Sequence, residues 1–379
     1  MVKPEYLAAR PEDIGIDSGR LEAVFARARR DVDQGVLPSA QVAVGRNGKV
    51  AHSGIEVPAG NETLYFVFSC TKAVVAAAVW LLLEEGLLKL DERVADIVPE
   101  FGSNGKDRIT VEQLLLHTGG FPYAKFAVEG WLDRSKRLEA FAQWTLDWEP
   151  DSRYEYHATS AHWVLAEIIC RRAGVDYRSF IRERITGPAG LDEFFLGLPA
   201  DLDGRLAEVG FVGEPVEPPG GWGDVTPEHI LDFNKPVARR AGLPGGGGIS
   251  GAGELALFYQ MLVNGGQTVD GKRILKPETI DFATVVRTKD RHRDPVLDIP
   301  ANRGLSIIVA GDDGNAHLRG FGKVASARAF GHGGAGGQIG WGDPQTGISV
   351  GYCTNGFVDW ITAGRRVTAI SSLAAGCAL

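Results

Sequence analysis

The stretch YFVFSCTKAVVAAAVWLLLEEG, Tyr65–Gly86, decides how this chain is read. It sets Ser69 and, three residues on, Lys72 at the head of a long apolar run. A lysine there is anomalous. Its ammonium is strongly hydrated, and burying it is unfavourable unless the group is paired or neutralised. Two readings stay open at this point. In one, Ser69 caps a helix and Lys72 snorkels to the surface. In the other, an amine is wanted beside a hydroxyl. Residues i and i+3 share a helix face, so Lys72 stands one turn above Ser69. The first helical turn offers unpaired N–H groups and the positive end of the dipole, which favour developing negative charge. The Ser69 N–H can then form half of an oxyanion hole. A lysine in apolar, partly positive surroundings has a lowered pKa and can take the serine proton. The same spacing recurs at Ser103 and Lys106, in the polar, glycine-bearing text FGSNGKDR, and is read there as chance.

Outward from this stretch, SGRLEAVFARARRDVDQG (Ser18–Gly35) has apolar spacings of three and four, the pattern of an amphipathic helix ending at glycine. AQVAVGRNGKVAHSG (Ala40–Gly54) holds Asn47-Gly48 between alternating apolar residues, a hairpin signal. Helical patterning dominates from Thr71 to about Asp290: Thr71–Glu85, Thr110–His117, Arg137–Thr145, Ser160–Ala173, Tyr177–Ile185, Gly253–Asn264 and Pro277–Val285. Strand-like text returns in RGLSIIVAG, SARAFGHGG and GQIGWGDPQTGISVGYCTNG, and the chain closes with a helical tail, Trp360–Ala375. The expected fold class is α/β (α+β): a sheet flanked by helices and built from both termini, with an all-helical region inserted. The expected domains are 1–70 plus 295–379 for the sheet and 71–294 for a mainly helical domain carrying substrate-binding loops. The loop-rich Gly197–Gly248 is either a binding wall or a surface excursion. GGGISG and GHGGAG match a dinucleotide fingerprint in letters, but neither sits between a strand and a helix.

Composition narrows the classes. The 379 residues are 44% hydrophobic, enough for a sizeable core, and carry a formal net charge of −8 with dispersed acids. A nucleic-acid partner is not expected without a basic stripe. The longest apolar run is too short to span a bilayer, and no apolar leader opens the chain, so a cytoplasmic, non-membrane location is expected. Cys70, Cys170, Cys353 and Cys377 form no C-x-x-C pair and are expected to be reduced, with Cys70 a small packed residue. Histidines lack metal-ligand spacing, and no metal or cofactor is expected. His117, in LLLHTGG, is read as structural, ending a helix where it can bond the last carbonyls.

Two further motifs follow Ser69-x-x-Lys72. DSRYEYHATSAHWVLAEIICRRAG puts Tyr156 just before a helix-like run, and FGHGGAGGQIGWGDP puts His332-Gly333-Gly334 at a strand edge. Singly, Tyr156 reads as a packing residue and His332 as an exposed polar residue. In this order, together with LLKLDERVADIVPEF, ITVEQLLLHTGGF and GGGGISGAGELALFYQMLVNGG, they resemble the serine β-lactamase and penicillin-binding-protein superfamily. The likeness is closest to the class C β-lactamase-like family VIII carboxylesterases and covers nearly the whole chain. It implies a β-lactamase/DD-peptidase-like fold. It implies Ser69 as nucleophile, with Lys72 and Tyr156 moving its proton. It also implies an oxyanion hole from the N–H groups of Ser69 and Ala335, and His332, Gly333 and Gly334 along the substrate.

Two departures from the family pattern direct the functional expectation. The middle motif is Tyr156-His157-Ala158, without its asparagine, and the late motif has neither lysine nor threonine. In the family those residues bind the side-chain amide and the carboxylate of β-lactams and peptides. A histidine near its usual pKa is mostly neutral at pH 7 and holds an anion poorly. The expectation is therefore a serine esterase acting on a small-molecule carboxylic ester through an acyl-enzyme. The alternatives are a β-lactamase or D-amino-acid-specific peptidase or amidase, an acyltransferase, and a catalytically silent binding protein. Tyr123, Phe126, Trp131, Phe211 and Trp222 are candidates for an apolar pocket.

Overall fold

Asn47 and Gly48 both take positive φ, 53° and 80°, the pair of left-handed residues that a type I′ turn requires. They join β1 (Ala40–Arg46) to β2 (Lys49–Gly54). The remaining strands are β3 (Tyr65–Phe66), β4 (Phe195–Leu196), β5 (Gly210–Phe211), β6 (Gly248–Ser250), β7 (Ile308–Val309), β8 (Phe330–Gly334), β9 (Gln338–Gly342), β10 (Ser349–Thr354) and β11 (Gly356–Phe357). The computed structural model describes residues 2–54, 60–125, 127–222 and 225–379, with the backbone alone at 52–54 and 129.

Six strands form one sheet in the order β2-β1-β10-β9-β8-β7. Every neighbouring pair is antiparallel, and β1 meets β10 with Ala40 opposite Thr354. The sheet is thus closed between the two ends of the chain. Its side chains alternate, as the pleat demands. Val42, Val44, Ile339 and Trp341 face a core shared with Leu21 and Val24 of the Ser18–Asp33 helix and Ile370 of the Trp360–Ala375 helix. Ala43 faces the opposite core, with Leu255 and Tyr259 of the Ala252–Val263 helix. That helix lies very close to the sheet. A Cβ on Gly340 would come within 2.6 Å of Tyr259, and one on Gly351 within 2.1 Å of the Ala252 carbonyl oxygen.

The Thr71–Glu84 helix is the axis of the second layer. Every residue from Thr71 to Leu82 is buried, which explains a run with no polar face. Gly86, at φ 70°, ends it with a backbone bond from its N–H to the Leu83 carbonyl. The Ser160–Ala173 helix packs against it. The region between the sheet's two contributions is not all helical. β4 and β3 flank β6 in a three-stranded sheet, and β5 pairs with β11 in parallel. These strands are only two or three residues long, too short for a period-two pattern to show. RGLSIIVAG is likewise mostly irregular: Ser306, and Asn302 just before the stretch, take positive φ, 56° and 39°, and only Ile308–Val309 pair with β8. No helix among the described residues is long and apolar enough to cross a membrane.

Candidate active site

Ser69 sits in a short 3-10 turn, Phe68–Cys70, just ahead of the Thr71–Glu84 helix. Phe68 is held at φ 43°, a strained value for a bulky residue, of the kind found where a side chain must be aimed. Three ties fix the turn. The Thr71 hydroxyl donates to the Phe68 carbonyl at 2.5 Å and accepts from the Gly248 N–H at 2.9 Å. The Cys70 thiol donates to the His332 carbonyl of β8 at 3.1 Å. Cys70 is buried, and burial pushes its pKa up to about 12, so it is a packed tie and not a reactive thiol.

Lys72 does not snorkel. It is 0% exposed, and its Nζ donates to the carbonyl oxygens of Ala158, at 2.7 Å, and Gly245. Nζ lies 3.2 Å from Ser69 Oγ. Burial, then the Arg303 guanidinium, holds the Lys72 pKa well below that of a free lysine. A neutral amine has two protons and one lone pair. With two protons on the carbonyls, a neutral Lys72 can accept the Ser69 proton on its lone pair. Ala158, whose side chain cannot replace the family asparagine, does bind Lys72, but through its backbone. Lys106 is buried as well, yet its Nζ bonds the carbonyls of Ser103, at 2.7 Å, and Trp144, so the second Ser-x-x-Lys ties backbone together.

Tyr156 closes the group. Its ring centroid is 5.0 Å from Lys72 Nζ and 5.9 Å from the His332 ring. Its hydroxyl is buried with no hydrogen bond of standard geometry among the described residues. Burial raises its pKa, while the nearby Ser69 hydroxyl and the Arg303 charge work the other way. A phenol in this position can pass a proton once substrate tightens the contacts. β8 runs beside the Ser69 turn so closely that a Cβ on Gly334 would lie 2.5 Å from the Val67 carbonyl oxygen. Ala335 follows directly, and Ser69, Tyr156, His332, Gly333, Gly334 and Ala335 all line one cavity of about 580 Å³.

His332 is buried, not exposed, and its pKa is pushed well below the ordinary histidine value by burial, then by Arg303 and Lys72. Its Nδ1 lies 2.7 Å from the Gly333 carbonyl and so carries the proton, leaving Nε2 as an acceptor 3.5 Å from Arg303 Nη1. His117 was expected to bond the last carbonyls of the preceding helix, but its ring serves a different partner. Its Nδ1 accepts from the His157 N–H at 3.3 Å, and no carbonyl of the preceding helix is bonded by it. No group of three or more potential metal ligands occurs among the described residues.

The aromatic candidates divide. Trp131 lines the cavity. Tyr123 is 52% exposed, bonded to Glu155, and forms no part of the cavity wall. Trp222 packs in the cluster of Phe66 and Ile230, and the Phe211 ring lies tilted against Phe357, centroids 5.5 Å apart; neither is among the residues lining the cavity. Phe126 lies outside the described residues. Aromatic type alone does not say which way a loop side chain turns. The loop-rich segment does supply wall: Val225, His229, Phe233, Leu243 and Gly245 line the cavity.

Sequence reasoning missed Arg303. It lies in the irregular stretch before β7, is 7% exposed, and lines the cavity beside Tyr156 and His332. Its Nε donates to the Tyr154 hydroxyl at 3.0 Å, and its guanidinium carbon is 5.3 Å from the Tyr156 ring centroid. Nothing in NRGLS marks the residue as a site; only the chain path brings it there.

The Beta-lactamase family model matches residues 24–370. The chain belongs to the Beta-lactamase family. Its fold is that of the β-lactamases and penicillin-binding proteins, and the protein is a serine β-lactamase-fold hydrolase. Among curated proteins it is similar to Esterase/beta-lactamase LipL of Mycobacterium tuberculosis, 29% identical over 77% of this chain and 69% of LipL. Among solved structures it is similar to a penicillin-binding-protein homologue from Caulobacter crescentus, at TM-score 0.81 and 28% identity over 94% of this chain and 96% of the other. A family VIII carboxylesterase matches at TM-score 0.76 and 25% identity, over 95% and 99% of the two chains.

Proposed function

We propose that this Beta-lactamase-family protein is a carboxylesterase working through an acyl-enzyme on Ser69. The observation that carries the reading is the buried Lys72 amine, with its pKa lowered by burial and its Nζ 3.2 Å from Ser69 Oγ. Ser69 attacks the ester carbonyl as its proton passes to Lys72. The developing oxyanion is met by the N–H groups of Ser69 and Ala335. The alcohol departs with a proton returned through Tyr156, and water reverses the relay to free the acid. Esters are favoured over amides because an alkoxide leaves more readily than an amine, and because the family's amide-binding asparagine is Ala158 here. Walls such as Trp131, Trp163, Phe233 and Leu243 suit an apolar acyl group. The likeness to LipL and to a family VIII carboxylesterase supports the same choice.

The test is hydrolysis of p-nitrophenyl acetate and butyrate beside nitrocefin, by wild type and Ser69→Ala, with fluorophosphonate labelling in parallel. The expected outcome is ester turnover and labelling that both vanish in the variant, with little nitrocefin cleavage. Efficient nitrocefin cleavage would transfer the assignment to β-lactams. A wild type inert to the esters and to the probe would refute the esterase.

A further inference from the structure

A buried cation is unfavourable unless a counter-charge or a full set of hydrogen bonds accompanies it. Arg366, on the Trp360–Ala375 helix, is 0% exposed and has neither in full. Its Nε and Nη1 have no hydrogen-bond partner among the described residues. Its one carboxylate contact among them, from Nη1 to Asp31 of the Ser18–Asp33 helix, is long, at 3.9 Å. Asp31 is itself buried and is already paired with Arg27 at 2.7 Å. Two guanidinium groups thus share one carboxylate. A breach of the pairing rule in a well-packed core is expected where function needs the group.

The one hydrogen bond that Arg366 makes points to that need. Its Nη2 donates to the Gly336 carbonyl at 3.0 Å. Gly336 and Gly337 lie between β8 and β9 and take positive φ, 78° and 94°. Two adjacent glycines have little stiffness of their own. The flanks of this turn are fixed. Gly334 lies against the Val67 carbonyl, and the Gln338 side chain exchanges two bonds with the Thr354 backbone, both at 2.7 Å. The middle has no other side-chain hydrogen bond to its backbone among the described residues. A Cβ on Gly336 would meet the Phe357 ring at 3.0 Å, and one on Gly337 would meet Arg366 Nη2 at 2.9 Å, so ring and guanidinium pack directly on the two glycines. Ala335, whose N–H is assigned to the oxyanion, immediately precedes them. Ala335, Gly337, Gly364 and Val367 line the cavity, and Arg366 is not among the lining residues. It therefore acts on the turn and not on the substrate.

We propose that Arg366 is a positioning residue of the acyl-transfer reaction: by holding the Gly336 carbonyl it sets the Ala335 N–H at the oxyanion, and Asp31 keeps the guanidinium in place. The inference rests on Ser69 and Ala335 forming the oxyanion site, and on the esterase reading only for the choice of substrate. Removing Arg366 leaves Asp31 with Arg27, so no carboxylate is orphaned and the protein should stay folded.

The test compares wild type, Arg366→Met and Arg366→Lys for kcat and KM on p-nitrophenyl butyrate, for phenylboronate affinity and for thermal unfolding. Phenylboronate adds to a serine hydroxyl as a tetrahedral anion, so its affinity reads the oxyanion site without turnover. Arg366→Met should lose about tenfold to a hundredfold in kcat with little change in KM, the scale of a small misplacement at a reacting centre. Its boronate affinity should fall by a similar factor, at an unfolding midpoint no lower than that of wild type. Arg366→Lys, with one donor still able to reach Gly336, should recover part of both. A folded Arg366→Met with wild-type kcat and boronate affinity would overturn the proposal. So would losses that track the unfolding midpoint across both variants, the mark of a purely structural arginine. If Arg366→Met does not fold, Arg366→Lys decides: a lowered kcat at unchanged KM supports the role, and a wild-type kcat overturns it. Boronate affinity weakened in Arg366→Met, from a wild type that hydrolyses no ester, would sink the esterase and keep the positioning role. Ester turnover equal in all three proteins would do the reverse.

Discussion

Replacing Gly334 by alanine tests whether the spacing between β8 and the Ser69 turn sets the reaction. Gly334 has an ordinary extended backbone, φ −119° and ψ 156°, so alanine brings no conformational strain of its own. The conflict is one of space. The new methyl would lie 2.5 Å from the Val67 carbonyl oxygen and 2.9 Å from Gln338 Cβ, where ordinary contact begins at 3.4 Å. One neighbour is backbone two residues before the nucleophile, and cannot rotate away. β8 and the turn must therefore separate by about 0.9 Å. That moves the Ala335 N–H relative to Ser69, and a misplacement of about 1 Å at a reacting centre lowers the rate by about a hundredfold. Overpacking of this kind removes about 1–3 kcal/mol of stability, which leaves the domain folded. The assay is kcat/KM on p-nitrophenyl butyrate beside a thermal unfolding curve. The expected result is a folded protein with a large fall in kcat. A folded variant with wild-type kcat would refute the argument that this spacing positions the oxyanion site.

Lys72→Met should lose about 10²–10⁴ in turnover with the proton acceptor gone. The same change should raise the unfolding midpoint at pH 7, because burial disfavours the ammonium in the folded chain and not in the unfolded one. Between the lowered folded pKa and 10.5 the unfolded state binds the extra proton, so wild-type stability climbs with pH and the gain of the variant shrinks toward pH 10.5; a variant less stable at pH 7 would contradict this. Acid should destabilise the protein below the ordinary histidine range. His117, His157, His162 and His332 are buried with pKa values lowered chiefly by burial, His157 to about 4. For such groups the unfolded state binds more protons, so stability present above pH 6.5 is lost as pH falls toward 4, about 3 kcal/mol from His157 alone. Urea unfolding at pH 7, 6 and 5 checks it, and a flat stability across that range would refute it.

What the sequence determined by itself was whatever local spacing and order encode. The hairpin at Asn47-Gly48 was legible because two adjacent left-handed residues are rare outside such turns. Ser69, Lys72 and Tyr156 were singled out by the order of their motifs, and the structure brings the three side chains together. The Ser160–Ala173 and Trp360–Ala375 helices show their 3.6-residue period within single segments. The tertiary structure alone decided what depends on distant segments meeting. Where Lys72 Nζ is held rested on the carbonyls of Ala158 and Gly245, 86 and 173 residues away, and carbonyls are present at every position and mark nothing. Which aromatic residues line the cavity turned on loop paths, so Trp131 faces it and Tyr123 does not. Arg303 is the sharpest case. One arginine among the chain's many charged residues lines the cavity only because an irregular segment buries it against Tyr156 and His332.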